Sequence, residues 1–221
     1  MTVGAAARSE TAWLRPLPEV AFDSAAVLSG VRVDTKGRIC VRQSFYSVPV
    51  RLARRRVTVR LGAQALEVMA DGKVVAGHRR SVHKGTEDLL LDHYLEILVR
   101  KPGALPGSTA LAQARASGAF SAGHERFWGE ARRRLGDSAG TRALIGVLLL
   151  QRRTAAAVVV EAMEAALAIG SVDADVVANE ARRIEARRSA AAVVPIGTGA
   201  RDVRRTPCLD GYDDPLAGSG R

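Results

Sequence analysis

Cysteine, aromatic residues and long apolar runs are all scarce in this sequence, and each scarcity excludes something. Cys40 and Cys208 are the only cysteines. Two thiols so far apart form neither a disulfide framework nor a zinc cluster, and a reduced cytoplasmic chain is the simplest expectation. Phe, Trp and Tyr make up 4% of the residues. The core must therefore come from Val, Leu, Ile and Ala, and a stacking platform for unpaired bases is not expected. The most apolar stretch, Ala143 to Leu150, stops at Gln151-Arg152-Arg153, and the next, Ala155 to Ile169, carries Glu161 and Glu164. Neither reaches the ~20 apolar residues that span a bilayer, so no membrane partner is expected. No apolar run follows Met1, so no signal peptide is expected. A Gly-Lys-Ser/Thr phosphate loop and a nucleophile elbow are also missing.

What is present is positive charge. The 221 residues carry a formal net charge of +10, with a pI near 10.7. Only Lys36, Lys73, Lys84 and Lys101 are lysines; the other basic residues are arginines, which suit bidentate phosphate contact. Residues 1–33 are neutral, whereas residues 34–101 hold fourteen basic and seven acidic groups. Residues 102–189 hold twelve and nine, and residues 190–221 balance. A basic chain of this size points to a polyanionic partner, and 34–101 is the region expected to meet it.

The pattern along the chain indicates an α+β protein: a small all-β barrel, an all-α helical region and a disordered tail. Residues 1–30, with Pro16 and Pro18, read as a linker that Trp13, Leu14, Leu17 and Phe22 pin to the next domain. Residues 31–84 alternate apolar and polar in short runs: Val31 to Asp34, Arg38 to Arg42, Phe45 to Val48, Val57 to Leu61, Leu66 to Met69 and Lys73 to Arg79. Asp71-Gly72 marks a hairpin turn, and short strands at this spacing indicate a small basic barrel. Residues 85–189 turn helical. Ser108 is placed to cap a helix, Gly136-Asp137 to break one, and Arg182-Arg183 and Arg187-Arg188 to close another at its negative end. Residues 190–221 read as a disordered tail, with Asp210 to Asp214 a possible docking motif.

Three segments of the β region, Val33-Asp34-Thr35-Lys36-Gly37-Arg38-Ile39, Tyr46-Ser47-Val48-Pro49 and Val57-Thr58-Val59-Arg60, appear in that order. Gly77-His78-Arg79-Arg80, His93-Tyr94-Leu95 and Arg100-Lys101-Pro102-Gly103-Ala104-Leu105 follow. Together they resemble the C-terminal barrel of bacterial IstA-type insertion-sequence transposases, which are related to retroviral integrases and the phage Mu transposase. The resemblance covers roughly residues 13–190. It implies DNA as a partner, with a full-length transposase and an IstB-type AAA+ ATPase helper as further partners. In such proteins a DDE catalytic domain, which uses Mg²⁺, precedes the barrel. This chain is expected to begin after that domain, and so to be non-catalytic and to need no cofactor.

The residues support that expectation. Strand transfer needs three carboxylates converging on two metal ions. Glu10, Glu19 and Asp23 lie on the linker, Asp34 and Asp71 suit turns, and Glu87, Asp88 and Asp92 suit a solvated helix start. His78 and His83 lack a cysteine pair and read as neutral or phosphate-contacting. Phe127 and Trp128 read as core, or as an anchor for a partner. The positive candidates are Arg51, Arg54, Arg55, Arg56 and Arg60 around one loop, Arg79, Arg80 and Lys84 after the last strand, and Arg100 and Lys101 at a helix end. Such groups neutralise DNA phosphates and position the duplex without reading its sequence. The alternatives are a module that binds full-length transposase or its ATPase helper, as an inhibitor for instance, and a degenerate gene remnant.

Overall fold

A computed structural model describes residues 2–10, 13 and 24–191. Helix α1 covers Val3–Glu10. Six strands follow: β1 (Ala26–Arg32), β2 (Arg38–Val41), β3 (Ser44–Ser47), β4 (Arg56–Leu61), β5 (Ala65–Ala70) and β6 (Lys73–Arg79). A seventh, β7, is only Glu87–Asp88. The helices are α2 (Leu95–Arg100), α3 (Thr109–Ala116), α4 (Ala122–Leu135), α5 (Asp137–Leu150), α6 (Ala156–Ala168) and α7 (Ala174–Ala191).

The strands form two sheets, ordered β1-β4-β5-β6 and β2-β3-β7. All pairings are antiparallel except β3 with β7, which is parallel. Alternation places Val57, Val59 and Leu61 of β4 inward with Leu66 and Val68 of β5, where they meet Ile39, Val41 and Tyr46 of the other sheet in one core. The expected barrel is thus two sheets around a shared core, and among the described residues no ladder closes them into a ring.

Local chemistry fixes the turns. The Asp34 carboxylate accepts the amides of Lys36 and Arg38, both at 2.8 Å, so the Thr35-Lys36-Gly37 turn carries its own brace. Gly37 has φ +71°, and a Cβ there would press on the Val48 carbonyl and Val50. The sequence suggested a first strand at Val31, but β1 starts at Ala26. Its register shifts between Leu28 and Val31, with Gly30 at φ +71°, and that bulge hides the alternation. Glu87–Asp88, expected at a helix start, instead extends the β3 sheet. The Gln113 side chain then completes the β7 backbone, accepting the Leu89 amide at 2.7 Å and donating to the Glu87 carbonyl at 2.9 Å.

The helices enclose a second apolar core built from Leu95, Leu105, Leu111, Phe127, Leu144, Ile145, Val159 and Met163, among others. Phe127 and Trp128 are buried there, and the Trp128 indole donates to the Thr141 hydroxyl at 3.0 Å. Ser108 caps α3 by accepting the Leu111 amide. Helices α4 and α5 meet at Gly140, where a Cβ would lie 2.5 Å from the α4 backbone at Ala131 and Arg132. Gly136 alone joins these helices, so α5 begins at Asp137, whose carboxylate favours the positive end of the helix dipole. Trp13, expected to pin the linker, is exposed. Leu14, Leu17, Phe22 and the Asp210 to Asp214 motif lie outside the described residues, as does the tail from 192 onward.

Candidate nucleic-acid interface

The outer face of the four-stranded sheet carries cations by simple alternation. Val57, Val59 and Leu61 point inward, so Arg56, Thr58 and Arg60 point outward. Arg32, on β1, lies directly opposite Arg56. Like charges at such a position cost roughly 0.2–1 kcal/mol unless something else neutralises them. Arg79 lies outward at the far end of β6, opposite Ala65. Six residue steps along β4 separate the Arg56 row from the Arg79 row, or about 20 Å at ~3.3 Å per step. That length matches about six base pairs of a duplex rising ~3.4 Å each. A single-turn helix at Val50–Leu52 holds Leu52 inward and Arg51 in solvent. Arg54 follows at φ +69°, a left-handed conformation uncommon for a residue other than glycine.

The ten expected contact residues divide into two groups. Arg51, Arg54, Arg79, Lys84, Arg100 and Lys101 are exposed, and their side chains have no hydrogen-bond or ion-pair partner among the described residues. The other four are engaged. Arg55 reaches Asp71 at 3.3 Å, and Arg60 pairs with Glu67 at 2.8 Å. Arg56 and Arg80 donate to the carbonyls of Gly30 and Gly62, both at 3.0 Å, and keep their charge while being held in place. Arg100 and Lys101 stand apart at the end of α2. Arg51 lies near enough to this helix to help hold Glu96 below the usual carboxylate range, although the Arg152 hydrogen bond is the larger cause. Sequence reasoning missed Arg32 and Arg42. Arg32 was visible in the Val31-Arg32-Val33 alternation; Arg42 sits in a hairpin with no turn signature.

His78, His93 and His124 are buried and serve structure, whereas His83 is exposed. His78 is buried, with Nε2 donating to the Ser47 carbonyl at 2.6 Å and Nδ1 3.0 Å from Asp88. The Ser47 hydroxyl accepts the Leu90 amide and meets Nδ1 of His93, each at 2.8 Å. Ser47 thereby connects the two regions of the molecule. Burial, aided by His78 and then Arg152, lowers His93 to about 4 against the smaller raising effects of Asp92 and Glu96. His124 is lowered too, chiefly by burial, and its Nδ1 accepts the Ser121 amide at 3.0 Å. Among the described residues no cluster of three or more His, Cys, Asp or Glu is placed to hold a metal ion. None of the helices there is long and apolar enough to cross a membrane.

Residues 17–88, which contain both sheets, match the family profile of the Mu transposase C-terminal domain. The chain is 37% identical over 79 residues to a transposase of Aminobacter aminovorans, covering 34% of this chain and 16% of that protein. It is 33% identical over 117 residues to the transposases for insertion sequences IS1326/IS1353 of Pseudomonas aeruginosa and Shigella flexneri, covering 51% of this chain and 23% of each. No solved structure matches. The aligned part of the chain thus spans less than a quarter of these relatives' length, and residues 17–88 are similar to the Mu transposase C-terminal domain.

Proposed function

We propose that this chain is a non-catalytic, DNA-positioning C-terminal part of the transposition machinery. Its β region grips duplex DNA through phosphate contacts of Arg51, Arg54, Arg56 and Arg79, joined by Arg32 and Lys84. The observation that carries this reading is the set of exposed cations without partners, lying on the segment that matches the Mu transposase C-terminal domain. Arg55, Arg60 and Arg80 are already engaged by Asp71, Glu67 and the Gly62 carbonyl, and Arg100 and Lys101 extend the surface. On this reading cutting and joining, with Mg²⁺, fall to a catalytic domain of the kind that resemblance to such transposases implies.

Fluorescence anisotropy with labelled duplex DNA at 50 and 200 mM salt tests this. Contact with six phosphates predicts affinity falling about 10³-fold between the two conditions. No binding at 50 mM by a chain shown to be folded overturns the proposal.

A second reading concerns the helical region, as a module for full-length transposase or an ATPase helper. It is favoured by the neutralisation of that region's arginines by its own acids, which leaves less charge for DNA. It predicts co-purification with such a partner after nuclease treatment, and absence of co-purification removes it.

A further inference from the structure

The β region contains two hairpins with two-residue loops, and their sequences differ sharply. Ala70 pairs with Lys73 across Asp71-Gly72, and Val41 pairs with Ser44 across Arg42-Gln43. Both loops have positive φ at both central residues: 50° and 75° in the first, 50° and 66° in the second. That is the requirement of a type I′ turn, which Asp-Gly meets readily and Asn-Gly meets best. Arginine and glutamine meet it poorly, because a Cβ at positive φ crowds the following carbonyl. The same domain thus uses the favourable dipeptide at one turn and an unfavourable one at the other, so turn geometry alone does not account for Arg42 and Gln43.

Their surroundings indicate what they are for. Both residues are exposed. The turn is braced from behind: the Gly85 amide donates to the Gln43 carbonyl at 2.8 Å, and the Ser44 hydroxyl donates to the His83 carbonyl at 2.8 Å. The Phe45 amide donates to Thr86 at 2.8 Å. The tip is therefore held rigid while its two side chains remain without partners among the described residues. Lys84, also exposed, stands beside it on the bracing loop. Arginine and glutamine are among the side chains that make bidentate hydrogen bonds to guanine and adenine, respectively, in the major groove.

We propose that the β2–β3 tip is the base-reading element of this surface, with Arg42 and Gln43 entering the major groove and Lys84 meeting the phosphate wall. This rests on the DNA-binding reading above and gives that surface a sequence preference, which phosphate contacts do not supply.

Selection of bound duplexes from a randomised pool, followed by anisotropy on the selected and scrambled sites, tests it. The wild-type chain is expected to prefer its selected site roughly ten- to hundredfold. The double variant Arg42→Asn/Gln43→Gly, which installs the preferred turn, is expected to melt a few degrees higher yet to bind both sites within threefold of each other. Gln43→Glu provides a second readout, because a carboxylate accepts from cytosine N4: its selected pool should exchange adenine for cytosine at one position. A purely structural tip would not move base preference. DNA binding without preference by the wild-type chain, or preference unchanged in both variants, overturns the proposal and leaves phosphate binding intact. No binding by the wild type overturns both readings.

Discussion

The two regions of this molecule use arginine in opposite ways. Of the fourteen basic residues in 34–101, three (Arg38, Arg55 and Arg60) form ion pairs among the described residues. Of the twelve in 102–189, eight do: Arg115, Arg126, Arg132, Arg133, Arg134, Arg152, Arg183 and Arg188. The difference follows partly from secondary structure. A helix brings residues three and four apart together, so Glu130 serves both Arg133 and Arg134, and Glu180 serves Arg183. A strand pairs each residue with its cross-strand neighbour, and there Arg56 meets Arg32. Arginine runs that look alike in sequence therefore become a neutralised surface on helices and an open field on a sheet. In Arg132-Arg133-Arg134 all three form ion pairs, whereas in Arg54-Arg55-Arg56, which leads into β4, only Arg55 does.

The largest effect that separates the regions should come from Gly140→Val. Its Cβ would fall 2.5 Å from the α4 backbone, where no flexible side chain can give way. A loss of about 3 kcal/mol or more is expected in urea unfolding followed by Trp128 fluorescence. Salt-dependent DNA binding that survives in this variant would show that the β region acts without an intact helical packing.

Acid comes next. Folded His93 takes its proton only near pH 4, whereas the unfolded chain takes it near 6.5. Between these values the unfolded state binds more protons, so stability falls as the pH drops from 6.5 towards 4. The full term is about 3 kcal/mol, and the lowered His124 acts in the same direction. Urea midpoints measured across that pH window in wild type and His93→Gln check this: the variant should lose most of the slope.

Replacing Arg51, Arg54 and Arg79 with Gln is expected to flatten the slope of log K against log salt by about 3. The same change at Arg126, Arg133 and Arg183 should leave that slope unchanged. It should leave thermal melts nearly unchanged, because these pairs are exposed. Equal slope changes from the two triples would erase the contrast between the regions.

How far the sequence foretold the fold depends on the range of the forces involved. Strands β2 to β6 were legible because most of their alternation is local, and the Asp71-Gly72 turn and Ser108 cap because their chemistry acts within a few residues. The onset of β1 was hidden by the Gly30 bulge, and β7 by its brevity: two acidic residues become a strand only because β3 and Gln113 supply partners. The site was legible as a charge count and not as an arrangement. Nothing near Arg60 or Arg80 in sequence announces that Glu67 or the Gly62 carbonyl will engage them. Nor does any spacing bring His78, Asp88, Ser47 and His93 together across the joint.

The two hairpins also imply an order of assembly. Residues 65–79 are close in sequence and turn on a dipeptide that readily adopts the needed geometry, so β5–β6 is placed to zip first, on the microsecond scale typical of hairpins. Strand β4 adds to it through a short connection, whereas β1 joins β4 only after a much longer loop is closed. The β2–β3 hairpin, with Arg42 and Gln43 at its turn, gains little from local preference and depends for its brace on residues some forty positions away. The tip proposed to read bases is therefore expected to be among the last parts to take shape.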